Sequence, residues 1–122
     1  MVEDIIEERA RVWSSLRGGV LKLMLLRSVS RGSDYPYAML KALKCHTHMP
    51  FGTVTKNEVY NALSALEKQG YVRSRTVLSG GKAQRHYRLT AKGAGVVRRS
   101  RHIILQLIKS MKLLVSEFDK GM

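Results

Sequence analysis

The sequence SGGKAQRHYRLTAKG, residues 79–93, carries a glycine pair, a run of alternating side chains and a helix start. The preceding YVRSRTVL, residues 71–78, also alternates and is rich in β-branched residues, which predicts a strand. Gly80-Gly81 suits the turn because glycine adopts positive φ angles at little cost, and QRHYRL predicts the returning strand. Thr90 can cap a helix that starts in TAKG. This part of the chain is therefore predicted to be a β-hairpin that leads directly into a helix.

Two helices are predicted at the start of the chain. The first covers residues 3–16, where apolar residues recur at helical spacing and acidic residues occupy the first turns. Gly18-Gly19 is expected to interrupt it. The second helix, from Val20 to Val29, is apolar on nearly every side, and such a helix belongs in the core.

A further short helix is predicted after this core helix. Ser33 or Asp34 is expected to be its N-cap, with Pro36 in the first turn. Pro50 and Gly52 mark the loop that follows it.

The clearest helix in the sequence is TKNEVYNALSALEKQ, residues 55–69. Thr55 and Glu58 predict a capping box, in which each side chain accepts a hydrogen bond from the other residue's backbone N–H. Gly70 follows as a left-handed residue at the C-terminal end. The predicted buried stripe consists of Val59, Ala62, Leu63 and Leu66.

The last predicted helix covers residues 91–119. A 4-3-4-3 spacing of its apolar residues is a heptad pattern and predicts a dimer interface, formed by Ile104, Ile108, Met111, Val115 and Phe118. The alternative is that these side chains pack against the chain's own first helix. Apolar residues of that first helix are expected to join one surface or the other, namely Ile5, Ile6, Val12 and Trp13.

The charge of the chain is strongly unbalanced. Its 122 residues carry a formal net charge of +13, and twelve Lys or Arg but no Asp or Glu lie between Lys68 and Ser116. Such a balance indicates a polyanionic partner, and nucleic acid in particular. The single cysteine allows no disulfide framework, and no apolar run reaches the roughly 20 residues that span a bilayer. We therefore expect a cytoplasmic, nucleoid-associated protein that has no membrane contact.

The order of the predicted elements defines the fold class. Helices, then two strands, then a final helix predict a mainly α fold with a small β-hairpin wing, which is a winged helix-turn-helix with an extra helix at each terminus. Residues 1–19 are expected to form an N-terminal helix that contributes to the dimer contact. Residues 20–90 would form the DNA-binding domain, and residues 91–122 the dimerisation helix.

The sequence resembles PadR-type transcriptional regulators over about residues 20–95. The resemblance lies in LKLMLL at 21–26, YAML at 37–40, EVYNAL at 58–63, GYV at 70–72 and RHYRLTAKG at 85–93. It implies a homodimer joined largely through the C-terminal helix, a recognition helix from each subunit in the major groove, and a wing near the minor groove or the backbone. Members of that family are often repressors, and some respond to a small molecule. This sequence identifies no effector.

The recognition helix and the wing supply the candidate DNA contacts. On the helix, asparagine suits adenine and lysine suits guanine or a phosphate, and the outward face consists of Thr55, Lys56, Asn57, Tyr60, Asn61 and Ser64. On the wing, the residues expected at the backbone or in a narrow minor groove are Arg73, Arg75, Lys82, Gln84, Arg85 and His86. Ordinary solvated surfaces are the alternative for both. A phosphate contact and a solvated face are equally open for a further cluster, formed by Arg98, Arg99 and Arg101.

No catalytic or metal chemistry is predicted. Cys45, His46 and His48 are close neighbours within one loop, which does not provide the three or four ligands in tetrahedral geometry that zinc requires. Only nine acidic residues occur, four of them in the first eight positions, so little is available for acid–base catalysis. We therefore predict no enzyme activity, no metal and no cofactor.

The sequence as a whole predicts a sequence-specific transcription regulator, a repressor, that binds double-stranded DNA as a homodimer. Two alternatives remain open. One is an architectural chromatin protein of the same fold with weak sequence preference. The other is an interaction module whose basic face meets RNA or an acidic protein.

Overall fold

A computed structural model describes the backbone of residues 2–32, 34–46 and 54–121, and the side chains of residues 15–32, 34–43 and 54–121. Within these residues the elements in chain order are α1 (Val2–Ser30), α2 (Pro36–His46), α3 (Lys56–Lys68), β1 (Val72–Ser79), β2 (Lys82–Leu89) and α4 (Ala91–Gly121). The predicted fold class, mainly helical with one β-hairpin, is confirmed.

Helix α1 runs without a break through Gly18-Gly19, so the predicted interruption is wrong. A glycine inside a helix costs only about 1 kcal/mol relative to alanine. The second half of α1 buries Leu21 and Leu25 in the core, and this burial is worth more than the two glycines cost. The extra N-terminal helix is therefore the first part of one long helix.

The core lies between the second half of α1, helices α2 and α3, and the base of the hairpin. Residues from all of these elements are buried, and they are Leu21, Leu25, Leu26, Val29, Met39, Leu43, Val54, Val59, Ala62, Leu63, Leu66, Val72 and Tyr87. All four apolar residues predicted for the α3 stripe belong to this set. The stripe prediction is confirmed.

Helix α2 begins at Pro36, as its place in the first turn predicted. The backbone carbonyl of Tyr35 accepts the first helical hydrogen bond, from Met39 N–H at 3.0 Å. Tyr35 thus occupies the N-cap position, and the prediction of Asp34 as the N-cap is wrong. Asp34 instead contacts the hairpin, because its carbonyl accepts a hydrogen bond from Tyr87 N–H at 2.6 Å. The other predicted cap, Ser33, lies outside the described residues, as do Pro50 and Gly52.

The hairpin has the predicted two-residue turn. Strands β1 and β2 pair antiparallel from Val72 opposite Leu89 to Ser79 opposite Lys82. Gly80 and Gly81 have φ angles of 56° and 79°, which favour glycine and confirm the turn prediction.

Helix α4 is fastened to the base of the hairpin by Thr90. The Thr90 hydroxyl donates to the Gly70 carbonyl at 2.6 Å and accepts from Gly93 N–H at 3.1 Å, so it acts as the cap that the sequence predicted. A Cβ at Gly93 would overlap the Tyr71 carbonyl oxygen, which explains the glycine at this position. From residue 101 to residue 121, every side chain of α4 is exposed.

Candidate nucleic-acid interface

The outward face of α3 carries every residue that the sequence predicted for it. Positions 57, 60, 61 and 64 follow helical spacing and therefore lie on one side of the helix. All six predicted residues, including Thr55 and Lys56 at the helix start, are exposed. The Lys56 ammonium lies 5.8 Å from the centre of the Tyr60 ring, within the range of a cation–π contact. This face presents amide, hydroxyl and cationic groups together.

The start of α3 is held by the predicted capping box. Glu58 N–H donates to Thr55 Oγ1 at 3.2 Å, and Thr55 N–H donates to Glu58 Oε1 at 3.1 Å. These two bonds satisfy backbone donors that the first turn of a helix otherwise leaves unpaired.

Glu58 also forms an ion pair that the sequence did not reveal. Arg17 of α1 donates from Nε to Glu58 Oε2 at 2.8 Å and from Nη2 to Oε1 at 3.1 Å, a two-bond guanidinium–carboxylate contact. The pKa of Glu58 is lowered from 4.5 to about 2, chiefly by the hydrogen bond from Arg17, and the bond from the Thr55 backbone contributes to this shift. Hydrogen bonding to Glu58 likewise raises the pKa of Arg17. The partners are 41 residues apart, so no local pattern could have predicted the pair.

An open groove runs between α1 and α3 beside this ion pair. Its walls include Arg17 and Lys22 from α1 and Glu58 and Asn61 from α3, and its volume is about 360 Å³. Asn61, one of the predicted base-contacting residues, therefore lies at the edge of the surface that α1 and α3 share.

The strand register divides the predicted wing residues between two faces. Arg73 and Arg75 alternate along β1, and on β2 Lys82, Gln84 and His86 lie on the same face, with His86 directly opposite Arg75. Arg85, opposite Thr76, belongs to the other face.

The face that carries Arg85 is the one that contacts α3. On it, Ser74 donates from its hydroxyl and its backbone N–H to Glu67 Oε2, at 2.6 Å and 3.1 Å. Burial raises the pKa of Tyr87 on the same face, and the charge and hydrogen bond of Arg85 oppose this effect. Arg85 is exposed, so it adds a cation on the side of the hairpin that faces α3.

His86 and Gln84 make contacts within the protein. His86 Nδ1 lies 3.1 Å from Asp34 Oδ2, and its Nε2 lies 3.3 Å from Gln84 Oε1. The His86 ring also stacks on Tyr35, with the ring centres 5.3 Å apart. These contacts connect the wing to the start of α2.

The other predicted wing residues, Arg73, Arg75, Lys82 and Arg85, are exposed. Lys92, just beyond the wing, is held in place. Its ammonium donates to the Gln69 carbonyl at 2.9 Å and lies 4.7 Å from the centre of the Tyr71 ring.

The side chains of Cys45, His46 and His48 lie outside the described residues. In the part of the chain whose side chains are described, His, Cys, Asp and Glu nowhere form a group of three or more that is suited to a metal. The described helices include none with both the length and the apolar content needed to cross a membrane.

The comparison with protein families agrees with this geometry. Residues 25–99 match the transcriptional regulator PadR-like family. The chain belongs to this family. The prediction of a DNA-binding transcription regulator, rather than an enzyme, is thereby confirmed at the level of the PadR-like family.

Solved structures of PadR-like and other transcription regulators have similar folds. A PadR family transcriptional regulator from Eggerthella lenta is 27% identical, with a TM-score of 0.69, and the match covers 93% of this chain and 95% of that one. A PadR-like transcription factor from Bacteroides fragilis is 20% identical, with a TM-score of 0.70 over 85% and 98% of the two chains. A transcriptional regulator from Clostridium thermocellum is 22% identical, with a TM-score of 0.69 over 84% and 96%. None of the curated proteins matches the sequence.

Proposed function

We propose that this protein is a homodimeric, sequence-specific repressor of transcription that acts on the DNA of the cytoplasmic nucleoid. The exposed polar face of α3 is the observation that carries the proposal. Asn57 and Asn61 each carry an amide N–H donor for adenine N7 and an amide oxygen acceptor for the adenine N6 amino group in the major groove, and Lys56 suits guanine or a phosphate. Each of these side chains is exposed on a helix whose opposite side is anchored in the core.

The wing supplies the contacts that do not depend on sequence. Arg85, on the face of the hairpin that contacts α3, would meet the backbone or the minor groove of the same duplex. Arg73 and Arg75, on the other face of β1, would extend the cationic surface along the flank. Contacts of this kind set affinity and register, whereas the α3 contacts set base preference.

The homodimer is supported by the apolar face of α4. Gly93, Val96 and Val97 lie against the core, and the same side of the helix continues into the predicted seam, whose five residues are 41–62% exposed in the single chain. Monomers rarely leave a continuous apolar surface of this kind in water. Pairing of the seam with a second copy would cover it, and a two-fold dimer would favour a palindromic site.

Selection of bound duplexes from a random pool at about 150 mM salt tests the proposal, because exposed charges are then screened beyond roughly 8 Å. We expect enrichment of a palindrome with half-sites about one helical turn apart. A reporter gene controlled by that palindrome should be expressed less when the protein is present. Increased expression of the reporter would refute the proposed role as a repressor.

The architectural chromatin protein is a second candidate, which the acid-free stretch between residues 68 and 116 favours. A pool that stays random although it is tightly bound would support this candidate, because its affinities for different sequences would be nearly equal. Competition by structured RNA that exceeds competition by duplex DNA would instead support an RNA-binding module.

A further inference from the structure

Helix α4 carries a row of cations that we call the α4 stripe, consisting of Arg98, Arg101, Lys109 and Lys112. An α-helix turns about 100° per residue, so these four positions fall within an arc of about 80°. All four side chains are exposed. At about 1.5 Å per residue, the stripe is about 21 Å long.

The α4 stripe faces away from the body of the domain. The residues of α4 that lie against the core are Gly93, Val96 and Val97, and the centre of the stripe is about 130° around the helix from them. It is about 100° from the apolar seam. A dimer formed through the seam would therefore leave the stripe in contact with solvent on its flank.

At the start of the stripe, Arg98 and its neighbour Arg99, which is not part of the stripe, both lie near Gly95. Arg98 and Arg99 extend their guanidinium groups over Gly95, which has no side chain to fill the space. Arg98 Nη2 lies 3.8 Å, and Arg99 Nη1 3.4 Å, from the position that a Cβ of Gly95 would occupy. Two guanidinium groups that converge on one spot offer several donors to phosphate oxygens.

No acidic residue interrupts the α4 stripe: the sequence has none between Lys68 and Ser116, and Asp119, on the same side of the helix, lies about two turns beyond Lys112. The nearest acidic residues in the sequence are Glu67 and Glu117. The ion pairs formed by the described side chains join Arg17 to Glu58 and His86 to Asp34, and neither involves α4. Like charges three or four residues apart destabilise a helix, and Arg98 with Arg101, and Lys109 with Lys112, are three residues apart. A bound polyanion would reduce this repulsion and stabilise α4. A duplex presents a regular row of phosphates over the length of the stripe.

We infer that the α4 stripe binds the phosphate backbone of a second DNA duplex, so that one dimer holds two DNA segments together. The inference rests on the proposed function, because the first duplex is the one bound by α3 and the wing. The stripe faces away from the domain, which favours a separate duplex over a longer contact with the first one.

A bridging assay tests the inference with the full-length protein. One duplex is immobilised, a fluorescent duplex is in solution, and the amount of fluorescent DNA captured by the protein is measured. In the stripe variant, glutamine replaces Arg98, Arg101, Lys109 and Lys112, because glutamine keeps helix propensity while it removes charge. The matched control removes four exposed cations elsewhere by the same substitution, at Arg27, Arg31, Lys41 and Lys68. Circular dichroism verifies that both variants are folded.

We expect the stripe variant to capture at least about 10-fold less of the second duplex, while its affinity for a single duplex stays within about 3-fold of the original. The log–log salt slope of bridging should fall by about three to four units for each stripe that contacts the second duplex, since each lost phosphate contact removes about 0.9 unit. The control variant should bridge like the original protein.

Four other results would overturn the inference, and they are distinguishable. Single-duplex binding without bridging by the original protein would refute the second duplex and leave the proposed function intact. An equal loss of single-duplex binding and bridging would assign the stripe to the first duplex. If the original protein binds phosphatidylglycerol vesicles but does not bridge duplexes, and the stripe variant loses vesicle binding, the stripe would be assigned to a membrane surface. Failure of the original protein to bind any duplex would refute the proposed function itself.

Discussion

Replacing Arg17 with methionine is expected to lower the free energy of unfolding by about 1–2 kcal/mol at pH 7. The substitution keeps the unbranched stem in a helix and removes the two hydrogen bonds to Glu58. Each pKa unit corresponds to about 1.4 kcal/mol, so the lowering of the Glu58 pKa from 4.5 to about 2 corresponds to at most about 3.5 kcal/mol. The Glu58 side chain is 34% exposed, and water screens the pair, which reduces the expected effect.

The pH dependence follows from the direction of this pKa shift. The pKa of Glu58 is lower in the folded protein than in the unfolded chain, so its stabilising contribution is complete above about pH 4.5 and is lost as the pH falls towards 2. The difference in unfolding free energy between the original protein and the Arg17→Met variant should therefore shrink over that range. Urea titrations at several pH values, at one fixed protein concentration because dimers gain stability with concentration, measure this difference.

Two companion variants separate the ion pair from other effects. Glu58→Gln keeps an oxygen acceptor for the capping box but removes the charge. In a protein that already carries Arg17→Met, it should therefore lower the free energy of unfolding only slightly further. Arg31→Met removes an exposed arginine that lies just beyond α1 and should leave stability nearly unchanged. A loss at pH 7 below about 0.3 kcal/mol, or a loss that is the same at pH 7 and pH 3, would refute the assigned role of the Arg17–Glu58 pair.

Three further outcomes are expected. Gly93→Ala should lower the free energy of unfolding by more than about 2 kcal/mol, because the added Cβ would overlap a backbone carbonyl. Gly95→Ala should leave stability nearly unchanged, since only the ends of arginine side chains lie near its Cβ. Thermal unfolding of the two variants tests this difference. Asn61→Ala should relax base preference in the duplex selection. Arg85→Ala should lower the affinity for all duplexes alike and reduce the salt slope by about one unit. An equal loss of affinity for every sequence in Asn61→Ala would contradict these roles. Ile108→Glu should yield a monomer in sedimentation, because it places a charge in the seam, and an unchanged dimer would exclude the seam.

The capping box, the buried stripe of α3 and the glycine turn of the hairpin could be predicted from the sequence because each depends on residues close together in the chain. The Thr55 hydroxyl accepts a hydrogen bond from a backbone N–H three residues away. Gly80 and Gly81 adopt the positive φ angles that their own two-residue turn requires. Helical spacing likewise selected the α3 side chains that the structure leaves exposed. Their contacts with DNA remain predictions.

The features that required the tertiary structure all depend on residues distant in sequence. Gly18-Gly19 is a local signal for a break, but burial of the following leucines maintains the helix. Asp34 has the chemistry of an N-cap, yet the approach of the hairpin makes it a partner of His86. The Arg17–Glu58 pair joins helices whose relative placement is set by core packing, which no short sequence pattern encodes.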